Sequence, residues 1–497
     1  MSCFYDMTPA LSAVTAAYLD AFVDPDAAVK AMKAASKQAT AWIESQVPPI
    51  PQSVIDATGV AKEALKDAGM STAAWSEYQL ALWNLSAKRV AAMEVPDIVV
   101  SPTGYTPAGG VFVPSARPLV GASGIANAGD LIRLEAGRIV ASGSGGWKQN
   151  GRLATDPPVR VRGFCDPAHP ELRSVIVQDR AVGGSTSFGL SSGEGNVELE
   201  DLDIEADDTA GILTAAGHLP HFVLKRVNIF GEGSAYDPNW NPTVKTKWGI
   251  LHNQSANVYY EDITVRSIWQ EHGLGYHHNI KGDHTFVRCS SKHCGRTDTQ
   301  FFNRMTEGPI GKGNIYYQDG RVDDVCLEDG GGGSAMTFAG GMPDTQITIR
   351  DRIVRLGCDP LLAVRQKNIT GALVCYSSGY GTGRPDAAYP GGQKAIVLDG
   401  IDFEVGTVYP GEGSAVRPVV SLDHLQVATL AGGRIKVTRG PGTNPIALQI
   451  GTQAMGELRI TGEWDVDGWV IYRTDAPYHS WSEFRSAHPE LFVAPWV

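Results

Sequence analysis

The sequence predicts a mainly β protein, a parallel β-solenoid preceded by a small α-helical domain. The main observation is a short phrase that recurs through the centre of the chain, with two alternate apolar residues on each side of a polar pair. Most copies follow this form, at residues 197–204, 222–229, 258–265, 315–322, 396–403 and 420–427. The phrase describes two short strands that meet at a corner and bury one face. Because so small a unit cannot bury its apolar face alone, we expect the copies to stack as coils.

Composition and length support the same fold class. The chain contains 57 glycines and 29 prolines, enough to separate many short strands by turns. Its 497 residues are too many for one ordinary compact core, whereas a solenoid grows by adding coils.

The second residue of each polar pair marks the expected corner of a coil. In the six clear copies this residue is Asp201, Arg226, Asp262, Asp319, Gly400 and His424. Two weaker copies lie around Cys289 and Asp351, and they place Lys292 and Arg352 where an apolar residue is expected. We expect the corner aspartates to be scaffold residues, since Asp and Asn side chains commonly bond the backbone in turns.

The elements on either side of the repeat follow from local patterns. Residues 1–95 are predicted to form an α-helical attachment or capping domain, with apolar stripes such as Leu11, Val14, Tyr18 and Phe22. Residues 96–118, rich in Pro, Gly and Val, are predicted to be a linker. Early strand pairs are expected at 128–140, 159–164 and 173–177. The β-helix domain is assigned to 119–470 and a C-terminal cap to 471–497, with a short helix within 480–491 over the last coil.

Charge and cysteine content limit the partners and the compartment. The net charge of −12 argues against DNA or an anionic membrane as the main partner, but leaves an acidic polysaccharide that Arg, Lys and aromatic side chains could hold locally. The N-terminus shows no secretory signal and no run is long enough to cross a membrane, so we expect folding in a reducing cytoplasm. Cys289 and Cys294 are expected to be buried thiols, and we predict no metal site and no cofactor.

The chain resembles the pectate-lyase-like proteins in its Val-x-Leu-x-Asp-Leu-x-Ile rhythm and in the segment 159–177, where a strand leads into Gly-Phe-Cys-Asp-Pro. The resemblance covers about residues 120–470 and implies a right-handed single-stranded parallel β-helix. With the helical N-terminus, the chain resembles a bacteriophage tailspike or related virion spike. That resemblance implies assembly in the host cytoplasm without a signal peptide, a place on the virion surface and a homotrimer. It also implies contact with other virion proteins through the helical domain, and recognition or cleavage of bacterial surface polysaccharide.

Candidate catalytic residues lie in segments between the repeat copies. If the register holds, Glu271 and Asp298 lie on adjacent coils, and His272 is their neighbour. Two carboxylates about 5 Å apart suit retaining glycoside hydrolysis, and a wider separation suits inversion. Close packing would raise the pKa of one carboxyl and so prepare a general acid. The alternative is that both are solvated loop carboxylates.

The segment 271–284 is also dense in His, Tyr and Lys, which could support β-elimination on a uronic acid, where a base takes a proton and a cation neutralises the enolate. His277 and His278 would point to opposite faces of a strand. Aromatic and cationic residues suit stacking on sugars and pairing with acidic groups. The residues predicted to bind substrate are Trp248, Trp269, Tyr276, His277, Arg296 and Arg304.

Other aromatic residues are assigned by their register. Tyr260 and Tyr317 are expected to face the interior. Seven other aromatic residues fall in consecutive coils, and about half of them are expected to be buried while the outward rings stack on sugars: Trp240, Trp248, Tyr259, Trp269, Tyr276, Phe302 and Tyr316. Three functions remain open: a virion spike that binds bacterial polysaccharide and in one version depolymerises it, a free polysaccharide lyase or glycoside hydrolase, and a non-catalytic structural particle protein.

Overall fold

The computed structural model describes the chain from residue 95 onward, with gaps. The described residues are 95–142, 156–166, 169–178, 186–190, 196–206, 210–214, 219–231, 248–253, 255–268, 270, 272–278, 282–303, 313–325, 333–340, 342–358, 369–376, 393–406, 418–437, 446–451 and 455–493. The predicted helical domain 1–95 therefore lies outside the described residues apart from its last position. Residues 96–165 and 171–497 belong to one compact unit.

The described part is mainly β and is built from three long sheets. Sheet 1 has 14 strands. In chain order they are β1 (Ile98–Ser101), β2 (Gly104–Pro107), β3 (Val113–Pro114), β4 (Leu131–Leu134), β6 (Val159–Arg162), β10 (Val197–Glu200), β13 (Leu219–Lys225), β16 (Ser255–Glu261), β19 (His284–Val287), β22 (Ile315–Gln318), β25 (Met342–Arg350), β28 (Gln393–Asp399), β31 (Leu425–Leu430) and β34 (Met455–Ile460).

Sheet 2 has 12 strands, one of which, β7, pairs with β8 beside the main order. They are β5 (Gly137–Ser142), β7 (Cys165–Asp166), β8 (His169–Gln178), β11 (Asp203–Ala206), β14 (Asn228–Gly231), β17 (Thr264–Ile268), β20 (Ser290–Cys294), β23 (Arg321–Asp323), β26 (Ile353–Leu356), β29 (Ile401–Val405), β32 (Gly433–Val437) and β35 (Trp464–Asp467).

Sheet 3 has ten strands. They are β9 (Thr186–Leu190), β12 (Ala210–Thr214), β15 (Trp248–Asn253), β18 (His272–His278), β21 (Thr297–Asn303), β24 (Gly333–Gly340), β27 (Ile369–Tyr376), β30 (Val420–Leu422), β33 (Ile446–Ile450) and β36 (Trp469–Tyr472).

The chain visits the three sheets in turn. Strands β10, β11 and β12 belong to sheets 1, 2 and 3, and β13, β14 and β15 repeat that order one coil further on. Neighbouring strands of successive coils run parallel and in register, as Val197 with Phe222 and Ile204 with Ile229 illustrate. This arrangement is compatible with a parallel β-helix solenoid. The sequence phrase describes sheets 1 and 2, whereas sheet 3 is formed by the segments between the copies.

One residue in the left-handed conformation makes the corner between sheets 1 and 2. Asp201 has φ 55°, and Asp262 has φ 54°. The same conformation recurs at Arg226, Arg288, Asp319, Asp351 and Gly400. A single left-handed residue reverses the direction of the side chains, so the following residue points into the solenoid. The corner column therefore belongs to the scaffold, as predicted, but the Asp201 and Asp262 carboxylates accept hydrogen bonds from the side chains of Arg226 and Arg288, where bonds to the backbone were expected.

The structure corrects two of the predicted repeat copies. Around Cys289 the corner is one residue earlier, at Arg288, so Cys289 itself is buried inside and Lys292 faces solvent. The copy at 420–427 connects sheet 3 to sheet 1, because β30 precedes His424 and β31 follows it. Apolar residues alternate in the same way at a corner between sheets 3 and 1 as at a corner between sheets 1 and 2, so the pattern could not distinguish these two kinds of corner.

Aliphatic and aromatic side chains from all three sheets fill the interior. The predicted inward residues Tyr260 and Tyr317 are fully buried there, and so are the thiols Cys289 and Cys294. Phe286 stacks on Tyr317 with ring centroids 4.5 Å apart. Ladders of identical or similar side chains at successive coils are the expected packing of a solenoid, since each coil contacts mainly its neighbours.

The described solenoid begins with elements that the sequence did not predict. Residues 96–118, predicted to be a linker, instead contribute β1, β2 and β3, which pair antiparallel and join sheet 1 through β4. The helix α1 (Pro118–Ile125) follows, with Pro at its first turn and Leu119 and Ala122 buried against the first coil. The Pro-, Gly- and Val-rich composition fits a hairpin as well as a linker, so composition alone misled the assignment.

The C-terminal helix agrees with its prediction. Helix α2 (Trp481–Ala487) begins at Ser480, whose hydroxyl accepts a hydrogen bond from the Glu483 backbone N–H at 3.2 Å. Phe484 is fully buried and lies 5.7 Å from the Tyr472 ring on β36, and a 3₁₀ turn (Pro489–Leu491) follows. The apolar end of the last coil is thereby covered. In the described residues, no helix is long and apolar enough to span a bilayer.

Candidate functional site

The two segments that carry the predicted catalytic residues are neighbours, as their spacing predicted. Strands β18 and β21 pair in parallel, with His272 opposite Thr297. Glu271, Trp269 and Arg304 lie outside the described residues, so their placement in the site stays a prediction. The described members of the predicted site divide between the interior and the surface.

Asp298 lies in the interior rather than on a surface that could face a glycan. Its side chain is fully buried, and Arg352 Nη2 donates to Asp298 Oδ2 at 2.6 Å with the Arg352 side chain also fully buried. Ser291 Oγ donates to the other carboxylate oxygen, and Thr299 Oγ1 donates to Oδ2 at 3.1 Å. These partners satisfy the charge and most of the hydrogen-bonding capacity of the carboxylate. In this position Asp298 acts as a structural group, and a polysaccharide has no direct access to it.

Gly320 makes room for Arg352. The position inside the corner carries Cys289, Gly320 and Arg352 on three successive coils. A Cβ on Gly320 would collide with the Cys289 carbonyl oxygen and lie 3.1 Å from Arg352 Nη1. The missing side chain lets the guanidinium extend past one coil to Asp298, and it lies 4.7 Å from the Tyr317 ring centroid on the way. The predicted exception in the repeat at Arg352 is therefore half of a buried ion pair.

His272 and His277 are also interior. His272 is buried, with Nδ1 in a hydrogen bond to Thr297 Oγ1. His277 is fully buried and stacks on Phe301, with centroids 4.6 Å apart. Burial lowers the pKa of His277 well below its ordinary value, and nearby His252 adds to the effect. A neutral imidazole packed against aromatic rings is typical of a core residue. A base that acts on a polysaccharide must be accessible from the solvent, and neither histidine is.

Three further residues predicted to bind substrate lie on or beside the strands of sheet 3. Trp248, the first residue of β15, is half-buried and pairs in register with His272 on β18. Arg296 lies half-buried in the turn between β20 and β21. Tyr276 lies on β18, and its side chain is outside the described residues. A role for these three in binding stays a prediction.

The outer face of sheet 1 offers a second candidate site, which the repeat copies themselves supply. One outward row runs along the coils through Glu198, Val223, Tyr259, Thr285 and Tyr316. Tyr259 Oη donates to Glu261 Oε2 at 3.1 Å, and Tyr316 Oη donates to Gln318 Oε1 at 2.7 Å. Both acceptors lie two residues further along the same strand. Each partly exposed phenol ring therefore extends along its strand instead of standing away from the sheet.

A pair of carboxyl groups lies at the start of the same row. Glu198 and Glu200 project from the outer face of β10, and their side chains are 13% and 9% exposed. Lys225 Nζ lies 2.5 Å from Glu198 Oε1 and 3.4 Å from Glu200 Oε1. Arg162 donates to Glu200 Oε2 from Nε at 3.0 Å and from Nη2 at 2.8 Å. Two carboxyls and two cations from three successive coils thus share one partly enclosed position.

The two carboxyl groups have opposite pKa shifts. Burial, and a hydrogen bond with Glu200, raise the pKa of Glu198, and these effects outweigh the ion pair with Lys225. Burial would also raise the pKa of Glu200, but the hydrogen bond from Glu198 and the charge of Arg162 outweigh it and lower that pKa to about 2. Of the two carboxyls, Glu198 therefore keeps its proton to the higher pH, and Glu200 ionises first.

Sequence reasoning missed this pair because it treated the repeat copies as scaffold and searched only the segments between them. The signal was present in the first copy, Val197-Glu-Leu-Glu200, where two acidic residues occupy the outward positions. The basic partners could be found only from the coil register. Tyr259 and Tyr316, in contrast, belonged to the set of aromatic residues of which about half were expected to be buried, and the structure places both at partly exposed outer positions.

Comparison of the chain with protein-family models, with curated proteins and with solved structures finds no match. In the part of the chain that the structure describes, no group of three or more His, Cys, Asp or Glu side chains is arranged to hold a metal ion.

Proposed function

We propose that the protein is a polysaccharide-binding β-solenoid of the virion-spike type, which holds an extended glycan along the outer face of sheet 1. The observation that carries the proposal is the pair Tyr259 and Tyr316 in one outward row, with one coil between them. Two coils correspond to roughly 9–10 Å along the solenoid. That spacing is comparable with a disaccharide, so alternate sugars of a linear chain would each meet a ring.

Two phenol rings fixed along the strands suit stacking on pyranose faces, because the amphipathic ring offers an apolar surface while its hydroxyl remains hydrogen-bonded. Glu261 and Gln318, which hold the two hydroxyls, also offer carboxylate and amide groups to sugar hydroxyls. The proposal includes a right-handed winding, in line with the general preference of parallel crossover connections. It also includes homotrimeric assembly at a particle surface and attachment through the N-terminal domain, as the resemblance implies.

Binding tests the proposal. We expect Tyr259→Ala and Tyr316→Ala each to weaken binding of the preferred polysaccharide by about two- to tenfold, since an aromatic contact is worth about 0.5–1.5 kcal/mol. A panel of purified bacterial capsular and O-antigen polysaccharides, screened by glycan array and titrated by calorimetry, supplies the ligand. Thr348→Ala on the same outward row is the matched control and should bind like the unaltered protein. Equal binding by all three variants would contradict this assignment of the face.

A second candidate function, cleavage of the bound glycan, is favoured by the opposite pKa shifts of Glu198 and Glu200. Glu198 would give its proton to the glycosidic oxygen, which leaves with the electron pair of the broken C–O bond. Glu200 would stabilise the developing positive charge on the sugar, and water would supply hydroxide to the anomeric carbon and return a proton to Glu198. The glycosidic bond is thereby exchanged for two hydroxyl groups.

We expect Glu198→Gln to lower the rate of oligosaccharide release by at least about a hundredfold, in line with the usual contribution of a general acid, while binding persists. The pH profile should be bell-shaped. Activity would fall as the pH drops toward about 2, where Glu200 becomes protonated, and again as the pH rises through the raised pKa of Glu198. Release of reducing ends, measured by mass spectrometry, is the readout. Unchanged release from Glu198→Gln, with no release from a Glu271→Gln variant that folds normally by circular dichroism, would assign the chemistry to the segment 271–298 instead.

A further inference from the structure

One outward row on sheet 2 carries an interrupted charge pattern. The row takes one residue from each successive coil, in the order Glu205, Phe230, Arg266, Lys292, Asp323, Arg355, Glu404, Lys436 and Asp467. From Asp323 onward the charge alternates in sign at every coil. Such alternation is expected, because opposite charges on directly opposite residues of neighbouring strands stabilise a sheet and like charges destabilise it.

The alternating part of this row is closely paired. Glu404 lies between two cations, with Arg355 Nε at 3.4 Å from Oε2 and Lys436 Nζ at 3.3 Å from Oε1. Asp323 is paired with Arg321 on its own strand at 2.6 Å. At the other end of the row, Glu205 is paired with Arg138 at 2.6 Å. Each of these three carboxylates therefore already has a partner.

Arg266 and Lys292 break the alternation. They are directly opposite each other on adjacent coils, and both side chains are exposed. Among the described residues, neither forms an ion pair within 4 Å. Two like charges at neighbouring strand positions cost stability, since the backbones are only about 4.8 Å apart. The Phe230 ring beside Arg266 and Asp323 opposite Lys292 offset part of that cost, but no carboxylate of the described row lies within 4 Å of either cation. A ligand therefore explains the pair better than the stability of the fold does.

The surroundings of the two cations are suited to a sugar. The guanidinium carbon of Arg266 lies 5.5 Å from the centroid of the Phe230 ring, which precedes it in the row. Thr264 and Ser290, opposite each other in the next outward row, offer two hydroxyl groups beside the cations. An aromatic face, two positive charges and hydroxyls over three coils match a pyranose that bears an anionic substituent.

We propose that Phe230, Arg266 and Lys292 form a binding site for an acidic sugar unit, with a carboxylate or sulfate bound between the two cations. The site rests on the proposed function in one respect, since it names the chemical class of polysaccharide. Because the whole chain carries a net charge of −12, a general attraction for polyanions does not explain such a site. Binding there depends on the local pair.

The test titrates the full-length protein with an oligogalacturonate of defined length, its fully methyl-esterified neutral counterpart, and a heparin-derived sulfated oligosaccharide. The test variant is Arg266→Gln with Lys292→Gln, and the matched control is Arg434→Gln with Lys436→Gln, two cations of the same face that are already paired. We expect the test variant to bind the preferred acidic probe at least about tenfold more weakly, with the control unchanged. The affinity should also fall with added salt.

The carboxylated and sulfated probes decide which anionic group is preferred, and the esterified probe should bind weakly to every variant. The inference is overturned if the unaltered protein shows no saturable binding of either acidic probe at low ionic strength. It is equally overturned if test and control variants lose affinity to the same extent.

The Tyr259→Ala and Tyr316→Ala variants separate this inference from the proposed function. If they bind polysaccharide normally while the Arg266 and Lys292 variant loses the acidic probe, the assignment to sheet 1 is wrong and the site on sheet 2 stands. If the tyrosine variants lose binding while the Arg266 and Lys292 variant keeps full affinity for the acidic probes, the proposed function stands and the inference fails.

Discussion

Single residues in this solenoid show how a charge is accommodated in an apolar interior. Arg352 and Asp298 are both fully buried, and their ion pair is supplemented by Ser291 and Thr299. Such a pair adds little net stability relative to apolar residues, but each charge depends on the other, because a lone buried charge is strongly unfavourable. The absent side chain at Gly320 completes the arrangement. Asp298 is thereby a structural residue whose loss would affect folding before chemistry.

We expect Asp298→Leu to lower the free energy of unfolding by about 3–5 kcal/mol, since it leaves the Arg352 guanidinium buried without a counter-charge. Adding Arg352→Met should restore most of that loss. Chemical unfolding followed by circular dichroism is the measurement. Asp402→Leu, which breaks the partly exposed ion pairs with Arg355 and Arg434, is the control and should cost no more than about 1 kcal/mol. Equal losses for Asp298→Leu and Asp402→Leu would show that the interior pair is not the sensitive one.

Much of the residue-level pattern was readable from the sequence. Arg352 broke an apolar rhythm, and that break was the correct sign of an unusual interior residue. The position of Asp298 was not readable, because the register between β18 and β21 shifts between His272 and Gly275. Such an irregularity changes which side chains point inward without leaving a mark in the alternation of residue types.

At the scale of elements, the corner between sheets 1 and 2 explains why the repeated phrase tolerates variation in its polar pair. The corner needs a left-handed residue, which Gly, Asn and Asp adopt at the lowest energy. Asp201, Asp262, Asp319 and Gly400 meet that need directly. Arg226 and Arg288 also adopt the conformation, and each bonds the aspartate of the preceding corner, at 2.6 Å and 2.7 Å. At these two corners, an ion pair between neighbouring coils accompanies a positive φ that is unfavourable for arginine.

We expect Asp262→Val to destabilise the protein by about 1–3 kcal/mol, because a β-branched side chain is strongly disfavoured at φ 54°. Asp262→Asn should cost much less, since Asn tolerates the left-handed region and the exposed ion pair with Arg288 is worth little. The midpoint of thermal unfolding compares the two variants. If the two substitutions shift the midpoint equally, then the ion pair and not the backbone conformation would determine the effect.

At the scale of the whole molecule, the sequence predicted a stack of coils but described only two of the three sheets. The copies of the phrase specify sheets 1 and 2 because their strands are separated by a fixed single-residue corner. The strands of sheet 3 are joined to their neighbours by connections of variable length, so no constant spacing reveals them. The side chains followed the same division: the inward positions of Tyr260 and Tyr317 were predictable from the phrase, whereas the register that aligns Arg266 with Lys292 required the structure.

The solenoid interior also predicts a pH dependence for the whole fold. Burial lowers the pKa of His284 to about 4 and those of His252 and His277 well below the ordinary value. The unfolded chain takes up protons at these sites below about pH 6.5, whereas the native state does not. The contribution of the neutral buried histidines to the free energy of unfolding is therefore complete above pH 6.5 and declines as the pH falls toward 4. For His284 alone the loss is about 3 kcal/mol over that interval.

We expect the free energy of unfolding, measured by denaturant titration between pH 8 and pH 4, to fall less steeply with acid in His277→Phe than in the unaltered protein. Phenylalanine retains the packing on Phe301 but cannot take up a proton in the unfolded state. His479→Phe, at an exposed position near the C-terminus, is the control and should leave the slope unchanged, because it does not alter the buried histidines. Carboxylates titrate in the same interval in all three proteins, so only the difference in slope measures the buried histidine. If His277→Phe and His479→Phe gave the same slope as the unaltered protein, the interior histidines would not be the source of acid sensitivity.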